Sequence, residues 1–262
     1  MQEGRTEMTR MVFSYHAYRI YTHPLGLEAG IAELAVAGIS HVGVPYQHHA
    51  EPYVVVLRQH GLRVVYTIGA HERPYANAFG KGDGCCWDLE GGGDPVANAL
   101  WFANLYRKLD RSAKRLFYDQ LRSVGVYSGY PGCLYGGQTI AARYSCNWPD
   151  LQRTFSAGYG HLMPWPTACC GGIRGPLPPG ALAGMPPGLP VLHAIASPDP
   201  TLPEAEQWAQ VREDTRDRLG WIKRGMGKGL CLVQAVDGPA GARWSEADSR
   251  YCAIIGEEIA NV

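Results

Sequence analysis

Residues 11–69, MVFSYHAYRIYTHPLGLEAGIAELAVAGISHVGVPYQHHAEPYVVVLRQHGLRVVYTIG, decide the fold, because their apolar pattern keeps changing period. Met11 to Tyr18 is aromatic and β-branched and reads as a strand, broken by Thr22-His23-Pro24. Leu27 to Ala37 carries apolar residues at helical spacing, and Gly38 stops it. Ser40 to Tyr46 reads as a second strand, Ala50 to His60 as a second helix ended by Gly61, and Leu62 to Gly69 as a third strand. Short links in a strand–helix–strand–helix–strand order imply parallel pairing through right-handed crossovers.

The same alternation continues outward. Cys85 to Glu90 reads as strand four, and Asp94-Pro95 as an N-cap followed by proline at the first helical position. Helical spacing covers 96–109 and 113–124. Val126 to Tyr130 reads as strand five, 139–144 as a short helix, and Ala157 to Trp165 as strand six ending at Pro166. Residues 169–189 are rich in Gly and Pro without periodicity, and stand as an ordered loop or lid where a helix is expected. Pro190 to Ser197 is strand seven, 203–226 a helix, and Leu230 to Val236 strand eight. A final helix starts at Trp244-Ser245-Glu246 and runs to about Ala260. The expected fold is α/β, a single (β/α)8 TIM-type barrel over 1–262, irregular around strands six and seven, with 1–10 a flexible N-terminal segment. A length of 262 residues suits one such barrel.

Composition narrows the function classes. Lys plus Arg equals Asp plus Glu at 24 each, which argues against a nucleic-acid binder or a polybasic membrane-surface protein. No run of about 18 apolar residues is present to span a bilayer. The N-terminus lacks the apolar core of a secretion signal, so a cytoplasmic protein, or one released without a signal peptide, is expected, with secretion left open. Eight cysteines include two Cys-Cys dipeptides and no CxxC pair, so most read as small buried hydrophobes, with Cys133–Cys146 the best candidate bridge in an oxidising compartment.

Chemistry concentrates in Gly84-Cys85-Cys86-Trp87-Asp88-Leu89-Glu90-Gly91-Gly92-Gly93-Asp94-Pro95. Strand alternation puts Cys86, Asp88 and Glu90 on one face and Cys85, Trp87 and Leu89 on the other. Two unpaired carboxylates are costly to bury, so their face needs a solvated cleft. Reacting groups of such barrels sit at the C-terminal strand ends. Tyr15 and His16, Tyr46, His71 and Glu72, Tyr127, Trp165, His193 and Gln234 lie on or after the other strands and are the expected substrate contacts. Aromatic faces among polar edges suit sugar rings. Gly80-Lys81-Gly82-Asp83-Gly84 precedes a strand and lacks P-loop order, so it reads as a loop over the cleft.

Asp88-x-Glu90 on strand four resembles the DxE element of barrel glycoside hydrolases, of the chitinase-like and family 25 muramidase-like kind. The resemblance runs through Val124-Gly125-Val126-Tyr127-Ser128-Gly129-Tyr130 to a strand ending near Trp165. It implies that Glu90 is the general acid and Asp88 its helper, acting on a polysaccharide or glycan. Muramidase-like enzymes carry an aspartate on the first strand, where this chain has Tyr15 and His16. No cofactor or resident metal is expected, and self-association is left open. Two other readings stand beside the hydrolase: a barrel that binds carbohydrate or serves assembly without catalysis, and a metal-dependent sugar isomerase or lyase using histidines such as His16, His71, His161 and His193.

Overall fold

The computed structural model describes residues 11–69, 82–88, 125–128, 134–135, 138–139, 166–168, 175–177, 179–185, 192–233 and 243–262. Eight parallel strands form one sheet: β1 Met11–Ser14, β2 His41–Pro45, β3 Arg63–Gly69, β4 Gly84–Asp88, β5 Gly125–Ser128, β8 Pro166–Ala168, β9 Leu192–Ile195 and β10 Gly229–Leu232. Their order is β8-β5-β4-β3-β2-β1-β10-β9, and each described ladder between neighbours is parallel. A small antiparallel pair, β6 Leu134–Tyr135 and β7 Gln138–Thr139, stands apart from it. The described helices are α1 Leu27–Val36, α2 Pro52–Gln59, α3 Glu204–Lys223 and α4 Glu246–Ala260. None of them is long and apolar enough to cross a membrane. The chain is thus α/β with a parallel sheet; the helices expected over 96–109 and 113–124 lie outside the described residues.

Period-two alternation sorts the strand residues onto two faces. Val12, Val42, Val44, Val64, Tyr66, Ile195, Leu230 and Leu232 join the main core with Leu34, Leu57, Trp208, Leu219 and Ile255 of the helices. This is the helix-covered face. Met11, Phe13, Val65, Cys86, Leu192, Ala194, Cys231 and Val233 form a second cluster made of strand residues and the ends just beyond them. All eight are buried. Gly43 makes room within it: a Cβ there would lie 2.7 Å from the Tyr15 carbonyl oxygen and 3.1 Å from the Phe13 ring. Cys86, Cys231 and Cys252 pack as the small hydrophobes expected; Cys133 and Cys146 lie outside the described residues.

Three expected elements differ. The first strand stops at Ser14, and Ala17–Thr22 is a 3-10 helix. Ala17 and Ile20, three apart, are both fully buried, which suits a three-residue turn and not strand alternation. Ile20 packs on the bare backbone of Gly30, where a Cβ would come within 2.3 Å of it. Second, a strand begins at Pro166, where the sixth was expected to end. Proline lacks an N–H but is tolerated as the first residue of a strand. Third, β7 covers Gln138–Thr139, at the start of the expected short helix.

The helices are fixed by polar ties as well as by packing. Ser245 and Asp248 form a reciprocal capping box at the start of α4. Asp248 Oδ1 also accepts from Arg19 Nη2 at 2.9 Å, and the Trp244 N–H donates to Thr22 Oγ1 at 2.8 Å. The loop after β1 is thereby held to the last helix of the chain. On α3, Gly175 donates to Asp214 Oδ2 and its carbonyl accepts from Arg218 Nη2, with Asp214 and Arg218 both buried. That clasp holds Gly175, in the Gly/Pro-rich stretch expected to be an ordered loop or lid. Residues 179–184 there form turns.

Candidate functional site

Parallel strands present all their C-terminal ends to one side. On β1 that end is Tyr15-His16. The Tyr15 N–H donates to the Leu232 carbonyl at 3.0 Å, and the Val233 N–H to the Ile195 carbonyl at 3.0 Å, so β1, β9 and β10 end in step. Tyr15 is half-buried and packs against the strand-lined cluster, its ring 6.1 Å from Phe13 and edge-on to it. His16 stands edge-on to Tyr15 at 4.9 Å. Burial, and then the Arg19 guanidinium, push its pKa down to about 4. At neutral pH it is an uncharged imidazole, able to donate one hydrogen bond and accept another. These two expected contacts therefore meet at the strand ends.

β4 reaches the same side. Cys86 belongs to the strand-lined cluster, and Asp88 is the last residue of the strand, in register with Gly69 of β3 and Tyr127 of β5. For Asp88 and Tyr127 the backbone alone is described. Glu90, His71, Glu72, Trp165 and Gln234 lie outside the described residues.

Two expected contacts face elsewhere. His193 alternates with Leu192 and Ala194 and points to the helix-covered side, fully buried. Its Nε2–H donates to the Met226 carbonyl, and its ring stands edge-on to Trp221 of α3 at 5.3 Å. Burial drives its pKa down to about 4 against the opposing effect of the Met226 hydrogen bond. Tyr46 follows β2 but turns into the main core, 6% exposed, stacked on His49 and edge-on to Tyr66. Both are packing residues, because each shares the parity of the helix-facing residues of its strand, Val42 and Val44 for Tyr46 and Ile195 for His193. The described end of the glycine-rich stretch before β4, Gly82-Asp83, is a third correction. Asp83 Oδ2 accepts from the Val64 N–H at 2.9 Å, which ties Asp83 to the beginning of β3, opposite the strand ends.

Sequence reading missed Tyr18, Tyr21, His48 and Tyr53, which gather around the loops after β1 and β2. Tyr21 lies parallel to Tyr53 with centroids 4.6 Å apart, and His48 Nδ1 and the Tyr53 hydroxyl are in hydrogen-bond contact at 3.0 Å. Burial is the first cause holding the Tyr53 phenol protonated. The adjacent His48 and His49 diverge, as their adjacency predicts: His49 Nδ1–H donates to the Tyr46 carbonyl. The available signal was the density of Tyr and His just past each strand, which alternation alone could not orient.

No protein-family model matches the chain, and no curated protein matches it in sequence. Among solved structures it is similar to a sugar phosphate isomerase/epimerase from Parabacteroides distasonis ATCC 8503, with TM-score 0.46 and 9% identity over 98% of this chain and 96% of that one. It is also similar to the tandem GH20 catalytic modules in the pneumococcal exo-beta-D-N-acetylglucosaminidase StrH, with TM-score 0.43 and 10% identity over 96% of this chain and 85% of that one. Likenesses this distant leave the chemistry of the chain to be argued from its own residues.

Proposed function

We propose that the chain is a single closed (β/α)8 barrel that takes a glycan at its C-terminal strand ends and cleaves it by carboxylic acid catalysis, with Glu90 as the acid and Asp88 as its partner. The observation that carries this reading is the register of β4. Cys86 sits in the strand-lined cluster, and Asp88 ends the strand two residues later between Gly69 and Tyr127. By alternation Asp88 belongs to the Cys86 face, and Glu90 follows it with the same parity. Two facts support closure. The strand-lined cluster is buried without a described helix over it, and β8 and β9, the ends of the sheet order, bring Cα atoms within 8 Å of each other. Tyr15 and His16 then border the mouth, with His71, Glu72, Tyr127, Trp165 and Gln234 proposed as further contacts from the other strand ends. Tyr46 and His193 are not among them.

A glycosidic oxygen leaves only once protonated. Glu90 would deliver that proton, and Asp88 would raise the Glu90 pKa by repulsion and stabilise the positive charge that develops on the sugar. Glu90→Gln should lower hydrolysis of a responsive glycan by about a hundredfold or more while leaving thermal unfolding unchanged. Ordinary turnover by that variant would remove the assignment. Glycan binding with no hydrolysis by the wild-type chain would favour a binding module, and activity lost to a chelator a metal-dependent reaction.

A further inference from the structure

The loops after β1 and β2 carry an aromatic run whose outer members, Tyr18, His48, Tyr21 and Tyr53, the proposed chemistry does not use. From Tyr15 at the strand ends, ring centroids step 4.9 Å to His16, 6.5 Å to Tyr18, 5.6 Å to His48 and 6.3 Å to Tyr21. Tyr21 is 43% exposed, and one of its faces is already filled by Tyr53, nearly parallel at 17°. Tyr53 is itself buried and held through its hydroxyl by His48. Behind Tyr21, the 3-10 turn is locked by Ile20 against Gly30 and by Arg19 against Asp248. The outer face of Tyr21 is therefore presented to solvent at an angle set from several sides, before any ligand arrives.

We infer that Tyr21, backed by Tyr53 and edged by His48, is a distal stacking platform for a pyranose ring of an extended, neutral glycan whose nearer units lie against Tyr15 and His16. The inference rests on the glycan reading above and adds to it a second contact region and a preference for long chains. A flat ring offers apolar contact to the C–H face of a sugar, while the Tyr21 hydroxyl and the His48 ring beside it can meet hydroxyls. The charge around it also fits a neutral ligand. Arg19, the cation of the same turn, is buried in its pair with Asp248, 2.9 Å away, so it is committed before an anionic group could reach it. Preorganisation matters here because an immobile ring loses no rotamer entropy on binding.

The test compares a disaccharide with a hexasaccharide, drawn from a panel of neutral β-linked glucose and N-acetylglucosamine oligomers, by calorimetry on the full chain carrying Glu90→Gln to prevent turnover. Adding Tyr21→Ala should weaken the hexasaccharide about tenfold and leave the disaccharide unchanged. Tyr21→Phe, which keeps the ring, should bind as the parent does, and both variants should melt as the parent does. Unchanged hexasaccharide binding by Tyr21→Ala, an equal loss for both lengths, or no binding of any oligomer by the parent would each overturn the platform. Continued hydrolysis by Glu90→Gln together with the length-selective effect of Tyr21→Ala would remove the catalytic assignment and keep the platform.

Discussion

The two faces of one sheet bury histidines for different ends. His16 and His193 both follow or lie on strands, and both have their pKa pushed down to about 4, mainly by burial. Yet His193 spends its ring on the Met226 carbonyl and Trp221 between sheet and helix, whereas His16 stands half-buried at the strand ends beside Tyr15. A lowered histidine pKa thus reports desolvation, and position separates the two: His193 lies within β9 with the helix-facing parity of Ile195, whereas His16 lies beyond the end of β1. Tyr46 and Tyr15 repeat the lesson: each follows a strand, but only Tyr15 stays on the strand-lined face.

The contrast can be broken by mutation, and the helix-covered side should give the largest effects on stability. Asp214→Ala would leave Arg218, 1% exposed, without its buried counter-charge, and should cost about 3–5 kcal/mol in urea unfolding. A variant as stable as wild type would mean that the clasp on Gly175 contributes nothing. His193→Ala opens a void and strands the Met226 carbonyl, so about 2–4 kcal/mol should be lost with glycan binding unchanged. His16→Ala should do the reverse, weakening binding about tenfold with little change in melting. Equal behaviour of the two variants would erase the distinction between the faces.

Acid sharpens the same comparison. The folded state holds His193 near 4 against the ordinary 6.5, so its contribution is complete above pH 6.5 and is lost as pH falls toward 4, because the unfolded chain takes the proton first. Asp214 has the opposite sign. Burial raises it from 3.8 to about 6, so the folded state takes its proton first, and stability is gained over the same fall. Each group moves stability by about 1.4 kcal/mol per pH unit at most inside its window. Replacing His193 by a non-titrating residue should therefore make stability rise on acidification relative to wild type, measured as urea midpoints from pH 7 to pH 4.5. A parallel pair of profiles would show that His193 does not carry this linkage. The smallest effect expected is at the α4 cap, where Ser245→Ala should cost about 1 kcal/mol without touching the site.

Alternation and caps made much of this molecule legible in one dimension. The apolar periods of residues 11–69, Gly38 and Gly61 as stops, and Ser245 with Asp248 as a helix start all act within a few residues, so the chain alone determined the parallel α/β order and the shared parity of Cys86 and Asp88. Distance in sequence hid the rest. That β1 ends after Ser14 depends on Ile20 meeting Gly30. That Arg19 is neutralised depends on Asp248, 229 residues away. That Tyr46 and His193 face helices while Tyr15 and Tyr21 face outward to solvent or the strand ends depends on which element covers which side. Such choices are made by packing between segments remote in the chain, and only the tertiary structure decided them.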